Sequence, residues 1–284
     1  MVRFGRLKMI TPKKIISKLF GYYNSPSFNE LQQVPVEVSE MNGIRSLHIG
    51  TDTAQSSMQI NDPFYLELNY TKVIALSMLF NATPSNILTI GLGGGSLPKF
   101  YFKYCPSSKI TVLELHPQVI SAAYTYFNLP KDPRLNVLQG DGIKYLVDSN
   151  KTYDILLSDA FDEYGIPDVF TTDEYFFLCK SKLSSQGIFI INLWGSDSNT
   201  PTYINRIKKV FNNLVLTAPS ANPGNIIVVG FKNTPKELRI SELKKKIKFL
   251  EKEIGIELML YFNRLIESNT CLLYTSDAAD EGSS

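Results

Sequence analysis

The sequence predicts an α/β fold built on a doubly wound parallel sheet, and three observations lead there. The first is the stretch Asn86–Ser96, NILTIGLGGGS. Ile87, Leu88 and Ile90 form the short apolar run expected of a strand buried on both faces. It stops at Gly91-Leu92-Gly93-Gly94-Gly95, where glycine permits positive φ and lets a ligand approach the backbone without a Cβ in the way. Leu97–Tyr104 follows with the pattern of a helix whose free N–H groups face that turn. The second observation is the next strand, Lys109–Leu113, with Glu114 at its carboxyl end, 23 residues after Gly91. In a Rossmann-like unit an acid about 20 residues past the glycine turn reaches a ribose hydroxyl. Strand–glycine–helix junctions also form for packing alone; the acid at this spacing favours a nucleoside site. The third observation is the regular alternation of strands and helices through the rest of the chain, which indicates a doubly wound sheet.

Taken in order, residues 1–33 read as a basic leader and linker, with Arg3, Arg6, Lys8, Lys13, Lys14 and Lys18 spaced between apolar residues. Pro12-Lys13-Lys14 interrupts any signal-peptide core, leaving a solvated leader or a membrane-surface helix. Residues 34–62 form a small β-rich N-terminal domain. Val34, Val36 and Val38 alternate, Asn42-Gly43 supplies a tight hairpin turn, Ile44–Ile49 returns, and Ala54–Gln59 adds a strand. Residues 63–232 form the Rossmann-like domain. Leu66–Phe80 is a helix by its apolar spacing, and after Glu114 comes the helix Pro117–Phe127. Strands follow at Arg134–Leu138, Tyr153–Leu157 and Gly187–Leu193, with helices at Thr172–Leu183 and Pro201–Phe211. Leu214–Thr217 and Asn225–Phe231 close the sheet as an antiparallel pair. Residues 233–270 read as one amphipathic helix with Lys244, Lys245, Lys246 and Lys248 on a solvated face.

Composition narrows the function classes. A net charge of +2 is too near balance for an electrostatic nucleic-acid binder. The cysteines, Cys105, Cys179 and Cys271, are few and lack metal-ligand spacing, which points to a reducing compartment and no metal site. No apolar run approaches the ~20 residues of a membrane helix. His48 and His116, the only histidines, have no partner at metal spacing, so both are read as surface or core residues. Trp194, the only tryptophan, could stack on a base or pack in the core.

Four acids, Glu114, Asp141, Asp159 and Asp162, fall just beyond predicted strand ends, the edge where open α/β sheets bind ligands. Each could instead cap a helix; four on one edge argue for a shared site. Their surroundings, ILTIGLGGGS, VLELHP, QGDG and YDILLSDAFD in that order, resemble the polyamine aminopropyltransferases, the spermidine synthase family, over roughly Asn42 to Phe231. In detail the chain is similar to the bacterial spermidine-synthase-like branch, in which GLGGGSL and a QSSM-type segment occur.

The resemblance implies the class I AdoMet-dependent transferase fold, a seven-stranded sheet whose last strand is antiparallel. It implies transfer of an aminopropyl group from decarboxylated AdoMet to a di- or polyamine, with methylthioadenosine released and no metal. Gly91, Gly93, Gly94 and Gly95 would form the turn at the donor's sulfonium end. Glu114 would hold the ribose hydroxyls, and Asp141 with Gly142 the adenine amino group. Gln55 would lie over the donor or amine, Asp159 would be the base, and Asp162 would contact the acceptor amine. The family's turn carries an Asp where this chain has Gly94, and its Tyr after the glutamine falls on Leu66, with Tyr65 and Tyr70 close by. Nucleoside binding survives these departures; methyl transfer from AdoMet, or a catalytically silent binder of nucleoside or polyamine, becomes the alternative. The family also implies a cytoplasmic homodimer. Cys271–Glu281, CLLYTSDAADE, resembles a translated sequencing-adapter oligonucleotide, so residues 271–284 are expected to be foreign to the natural chain.

Overall fold

Val36–Met41 (β1), Ile44–Ile49 (β2) and Ala54–Gln59 (β3) pair antiparallel in chain order in the computed structural model, which describes residues 35–161, 165–269 and 273. Asn42 and Gly43 make the first turn at φ 53 and 78, the pair of positive angles a two-residue hairpin requires. Leu47 and Met58 bury the inner face of this sheet against the rest of the molecule.

Asn69–Ala75 (α1) and a 3₁₀ turn, Leu76–Leu79, lead into the central strand Asn86–Ile90 (β4). The helix expected over Leu66–Phe80 is therefore shorter and tightens at its end. Ser96–Tyr104 (α2), Lys109–Glu114 (β5), Pro117–Tyr126 (α3), Leu135–Gln139 (β6), Gly142–Asp148 (α4) and Tyr153–Ser158 (β7) follow. Asp173–Ser181 (α5) starts on Thr172, whose side chain accepts from the Tyr175 amide at 3.1 Å. Leu183–Trp194 (β8), Thr200–Val210 (α6), Val215–Pro219 (β9) and Asn225–Phe231 (β10) complete a seven-stranded sheet.

The sheet order is β6-β5-β4-β7-β8-β10-β9, with β10 antiparallel to both neighbours. The four pairings from β6 to β8 are parallel. Alternation along the strands splits the core in two. Ile87, Val112, Ile155 and Ile190 pack on the face shared with α2 and α3, and Leu88, Leu113, Leu156 and Ile191 on the face shared with α5 and α6. β4 runs on to β5 on one side and β7 lies on the other, so the gap beyond β4 and β7 is the topological switch point where such sheets bind ligands.

The C-terminal segment corrects the single helix expected there. Ile240–Ile254 (α7) ends at Gly255, in the left-handed region at φ 68, and Met259–Ser268 (α8) begins a new helix. Glu251 fixes the corner, accepting from the Leu258 and Met259 amides at 2.6 and 2.7 Å. Both helices dock on the domain. Tyr104 donates to the Ile254 carbonyl at 2.9 Å, and Tyr261 to Asn69 at 2.7 Å. Of the tail beyond Asn269, Leu273 alone is described, and it is buried in the core. Residues 1–34, including the Val34 expected in the first strand, Asp162 and, apart from Leu273, residues 270–284 lie outside the described residues.

Candidate active site

A cavity of about 530 Å³ opens at the switch point, walled by the carboxyl ends of β4, β5, β6, β7 and β8 and roofed by β2, β3 and α1. Its two halves have different chemistry. The first is the glycine turn and the two acids beyond β5 and β6. Gly91 donates to the Leu113 carbonyl at 2.8 Å and has φ 95. A Cβ there would stand 2.2 Å from the Asp159 carbonyl oxygen, so only glycine lets the turn close against β7. Gly93 lines the cavity beside it, and Gly95, at φ 74, precedes α2.

Glu114 is buried at the wall. Its Oε2 accepts from the Leu92 amide at 3.0 Å and its Oε1 from the His116 amide at 2.9 Å. Burial raises this carboxyl above its ordinary value, and the two amides oppose the rise. Each oxygen keeps a lone pair beyond the amide it serves. Asp141 caps α4, accepting from the Lys144 amide at 2.8 Å, and with Gly142 it lines the cavity. The capping role weighed for these acids is thus real for Asp141 and does not remove it from the cavity wall.

The second half centres on Asp159, whose amide donates to the Ile90 carbonyl at 2.8 Å and so ties the end of β7 to β4. Its Oδ1 accepts from Asn192 Nδ2 at 2.9 Å and its Oδ2 from the Tyr70 hydroxyl at 3.3 Å. Burial pushes the Asp159 carboxyl up to about 6, against the lowering effect of those two bonds. Burial, and then the charge of Asp159, hold the Tyr70 phenol well above its usual range, so it remains a donor. A carboxylate only accepts, so the Asn192 nitrogen faces Asp159. The other amide atom, Oδ1, is buried with no hydrogen-bond partner among the described residues. Phe161 and Trp194 stand at the rim, ring centroids 6.2 Å apart and edge to face. Trp194 is 43 % exposed, a cavity residue rather than a core one.

Other residues singled out in the sequence take different places. Gln55 lines the cavity, but its amide is engaged by its own sheet: Oε1 accepts from the Ile49 amide at 2.9 Å, and Nε2 donates to the Ile49 carbonyl and Thr51 Oγ1 at 3.2 and 3.1 Å. Tyr65 is not among the residues that line the cavity; Lys72 Nζ lies 5.0 Å from its ring centroid. Gly94 and Gly95 also lie behind the wall. A Cβ at Gly94 would meet the Phe127 ring at 2.7 Å and Ser56 Oγ at 2.8 Å, because that position faces α3 and β3. Sequence reasoning missed Asn192, a polar residue inside an apolar strand, and set His116 aside, although it lines the cavity next to Glu114.

Residues 67–236 match the family model described as the spermine/spermidine synthase domain. The chain belongs to the spermine/spermidine synthase family. It is 37% identical over 235 residues to a polyamine aminopropyltransferase of Chromobacterium violaceum, spanning 82% of this chain and 90% of that one. It is 28% identical over 221 residues to the eEF1A lysine and N-terminal methyltransferase of Xenopus laevis, spanning 72% of this chain and 32% of the longer relative. The crystal structure of a probable spermidine synthase from Corynebacterium glutamicum superposes with a TM-score of 0.66 at 21% identity, covering 78% of this chain and 85% of that one. The fold is thus the one this family was expected to carry, a small β sheet over an AdoMet-transferase-type sheet. Among the described residues no group of His, Cys, Asp and Glu is arranged to hold a metal ion.

Proposed function

We propose that the protein transfers an aminopropyl group from decarboxylated AdoMet to a di- or polyamine and releases methylthioadenosine. The observation that carries this is the placement of Asp159: half-buried in the cavity wall, held by Asn192 and Tyr70, and joined through its own backbone to the turn of Gly91. In this reading Glu114 holds the ribose, Asp141 and Gly142 the adenine, and Gly91 and Gly93 the sulfonium end. An alkylammonium has no lone pair and must lose a proton before it attacks. An ordinary carboxylate is about six units more acidic than such an ammonium; raising Asp159 to about 6 narrows that gap. The neutral nitrogen then attacks the carbon next to sulfur, the C–N bond forms, and the C–S bond breaks with its electron pair passing to sulfur. Methylthioadenosine leaves uncharged, and the new secondary amine retains the positive charge. In the same reading Gln55, which lines the cavity, and Asp162, which lies outside the described residues, would contact the acceptor amine.

A cytoplasmic homodimer belongs to the same reading. β1 is one edge of its sheet among the described residues and is largely exposed, with Met41 74% exposed, which suits contact with a second copy. Light scattering during gel filtration checks the mass. No helix among the described residues is long and apolar enough to cross a membrane.

Two observations favour methyl transfer from AdoMet as a second reading. Gly94 offers no carboxylate for a propylammonium, and a relative named as a methyltransferase shares 28% identity. Incubating the protein with each donor and a panel of amines separates the two by mass spectrometry. Methylthioadenosine with an aminopropylated amine is the expected outcome, and S-adenosylhomocysteine with a methylated one would replace it. Binding of methylthioadenosine without transfer from either donor would leave only a silent binder.

A further inference from the structure

His116 follows Glu114 by two residues and lines the cavity, and its ring makes no hydrogen bond to any described residue. Its backbone is fully used: the amide donates to Glu114 Oε1 at 2.9 Å, and the carbonyl accepts the first amides of α3 from Val119 and Ile120 at 3.1 and 3.3 Å. The side chain makes no cap for that helix. Within the ring, Nδ1 is buried and unpartnered, whereas Nε2 at the opposite corner is neither bonded nor buried. An unpaired buried N–H costs more than an unpaired buried lone pair. A neutral imidazole has one donor and one acceptor nitrogen, so the proton sits on Nε2. His116 thus offers one N–H donor at the cavity, from a residue that shares a hydrogen bond with Glu114.

We propose that His116 is a nucleoside-recognition residue whose Nε2–H donates to a ribose hydroxyl that in turn donates to Glu114. A hydroxyl is both donor and acceptor, so it bridges an acceptor-only carboxylate and an N–H donor with both its needs met. Two carboxylates, or two N–H donors, could not do this for the same hydroxyl. The inference rests on the proposed adenosyl donor and adds the discrimination of ribose from deoxyribose to Glu114's part in it.

Calorimetry with methylthioadenosine and with its 2′-deoxy and 3′-deoxy analogues tests this. His116→Ala is expected to weaken methylthioadenosine binding about 3- to 10-fold, the range of one neutral hydrogen bond. On the analogue lacking the bridged hydroxyl, wild type and His116→Ala should bind equally. His116→Gln, which returns an amide N–H to the place of Nε2, should recover most of the affinity and covers the case in which the alanine variant fails to fold. An unchanged dissociation constant in folded His116→Ala, or an equal loss on all three ligands, would overturn the proposal. Failure of wild type to bind methylthioadenosine would instead sink the adenosyl-donor reading, and this proposal with it.

Discussion

Exchanging one oxygen of Asp159 for nitrogen, as in Asp159→Asn, keeps the side chain's shape and removes the atom that would take the proton. Donor binding should change little, while turnover should fall by about 10²–10⁴, the range supplied by a positioned acid–base group. Normal turnover in this variant would make Asp159 a structural acid. The wild-type profile of kcat/KM against pH should lose activity with acid at an apparent pKa of about 6, because a carboxyl raised to that value is protonated below it and no longer accepts. Asn192 lowers that pKa by donating to Oδ1, so Asn192→Leu should move the acid limb upward; a limb that stays put would separate the two residues. Glu114→Gln should weaken methylthioadenosine binding about tenfold or more through loss of a charge-assisted bond, read by calorimetry. At Gly94, an aspartate has to push aside the Phe127 ring before it can act on the donor, so Gly94→Asp is expected to lower the melting temperature whatever it does to the preference for decarboxylated AdoMet over AdoMet. At this scale the sequence was readable where chemistry sits just past a strand. Glu114, Asp141 and Asp159 are placed at the cavity by strand ends that periodicity locates. Asn192 was not readable, because a polar residue within an apolar run does not reveal which neighbour it meets across the sheet. Tyr65 and Tyr70 could not be told apart either: α1 begins at Asn69, and that start sets which tyrosine turns inward.

The glycine turn is the element on which the cavity depends most. Gly91→Ala would require both an unfavourable φ of 95 and a contact of 2.2 Å with the Asp159 carbonyl, so the variant should melt at lower temperature and lose methylthioadenosine binding together. Retained binding with unchanged melting would show that the turn tolerates a wider approach of β4 to β7. Next to it, α2 carries Lys99, fully buried, with Nζ donating to the Phe127 carbonyl at 2.7 Å and meeting Met58 Sδ at 3.2 Å. This side chain joins α2, the segment after α3, and β3. Burial lowers its pKa to about 8, so the fold favours the neutral amine. The penalty is complete below pH 8 and disappears as pH rises toward the unfolded value, about 10.4. The stability of wild type relative to Lys99→Met should therefore increase between those limits, as denaturant melts at several pH values would show. The C-terminal helices mark where periodicity failed. Buried apolar residues run on past Ile254 through Ile256 and Leu258, while the left-handed Gly255 opens the four-residue corner that divides α7 from α8.

For the molecule as a whole, the order of strands and helices was legible because each central strand carries an apolar stretch that ends close to a glycine or an acid. What pairs with what was less so, since the position of β10 between β8 and β9 depends on contacts far apart in sequence. The switch point has a further consequence, for inheritance rather than for chemistry. The residues proposed to hold the adenosyl group come from β4, β5 and β6, on one side of the sheet's midline. Those proposed to meet the acceptor come from β7 and β8 on the other, and from β3 and α1 above. A lineage can therefore rewrite the ends of β7 and β8 and keep the nucleoside half unchanged. Relatives named for aminopropyl transfer and for methylation would share one ancestral half and differ in the other. A chimaera that exchanges only those two strand ends should inherit its nucleoside affinity from one parent and its choice of acceptor from the other.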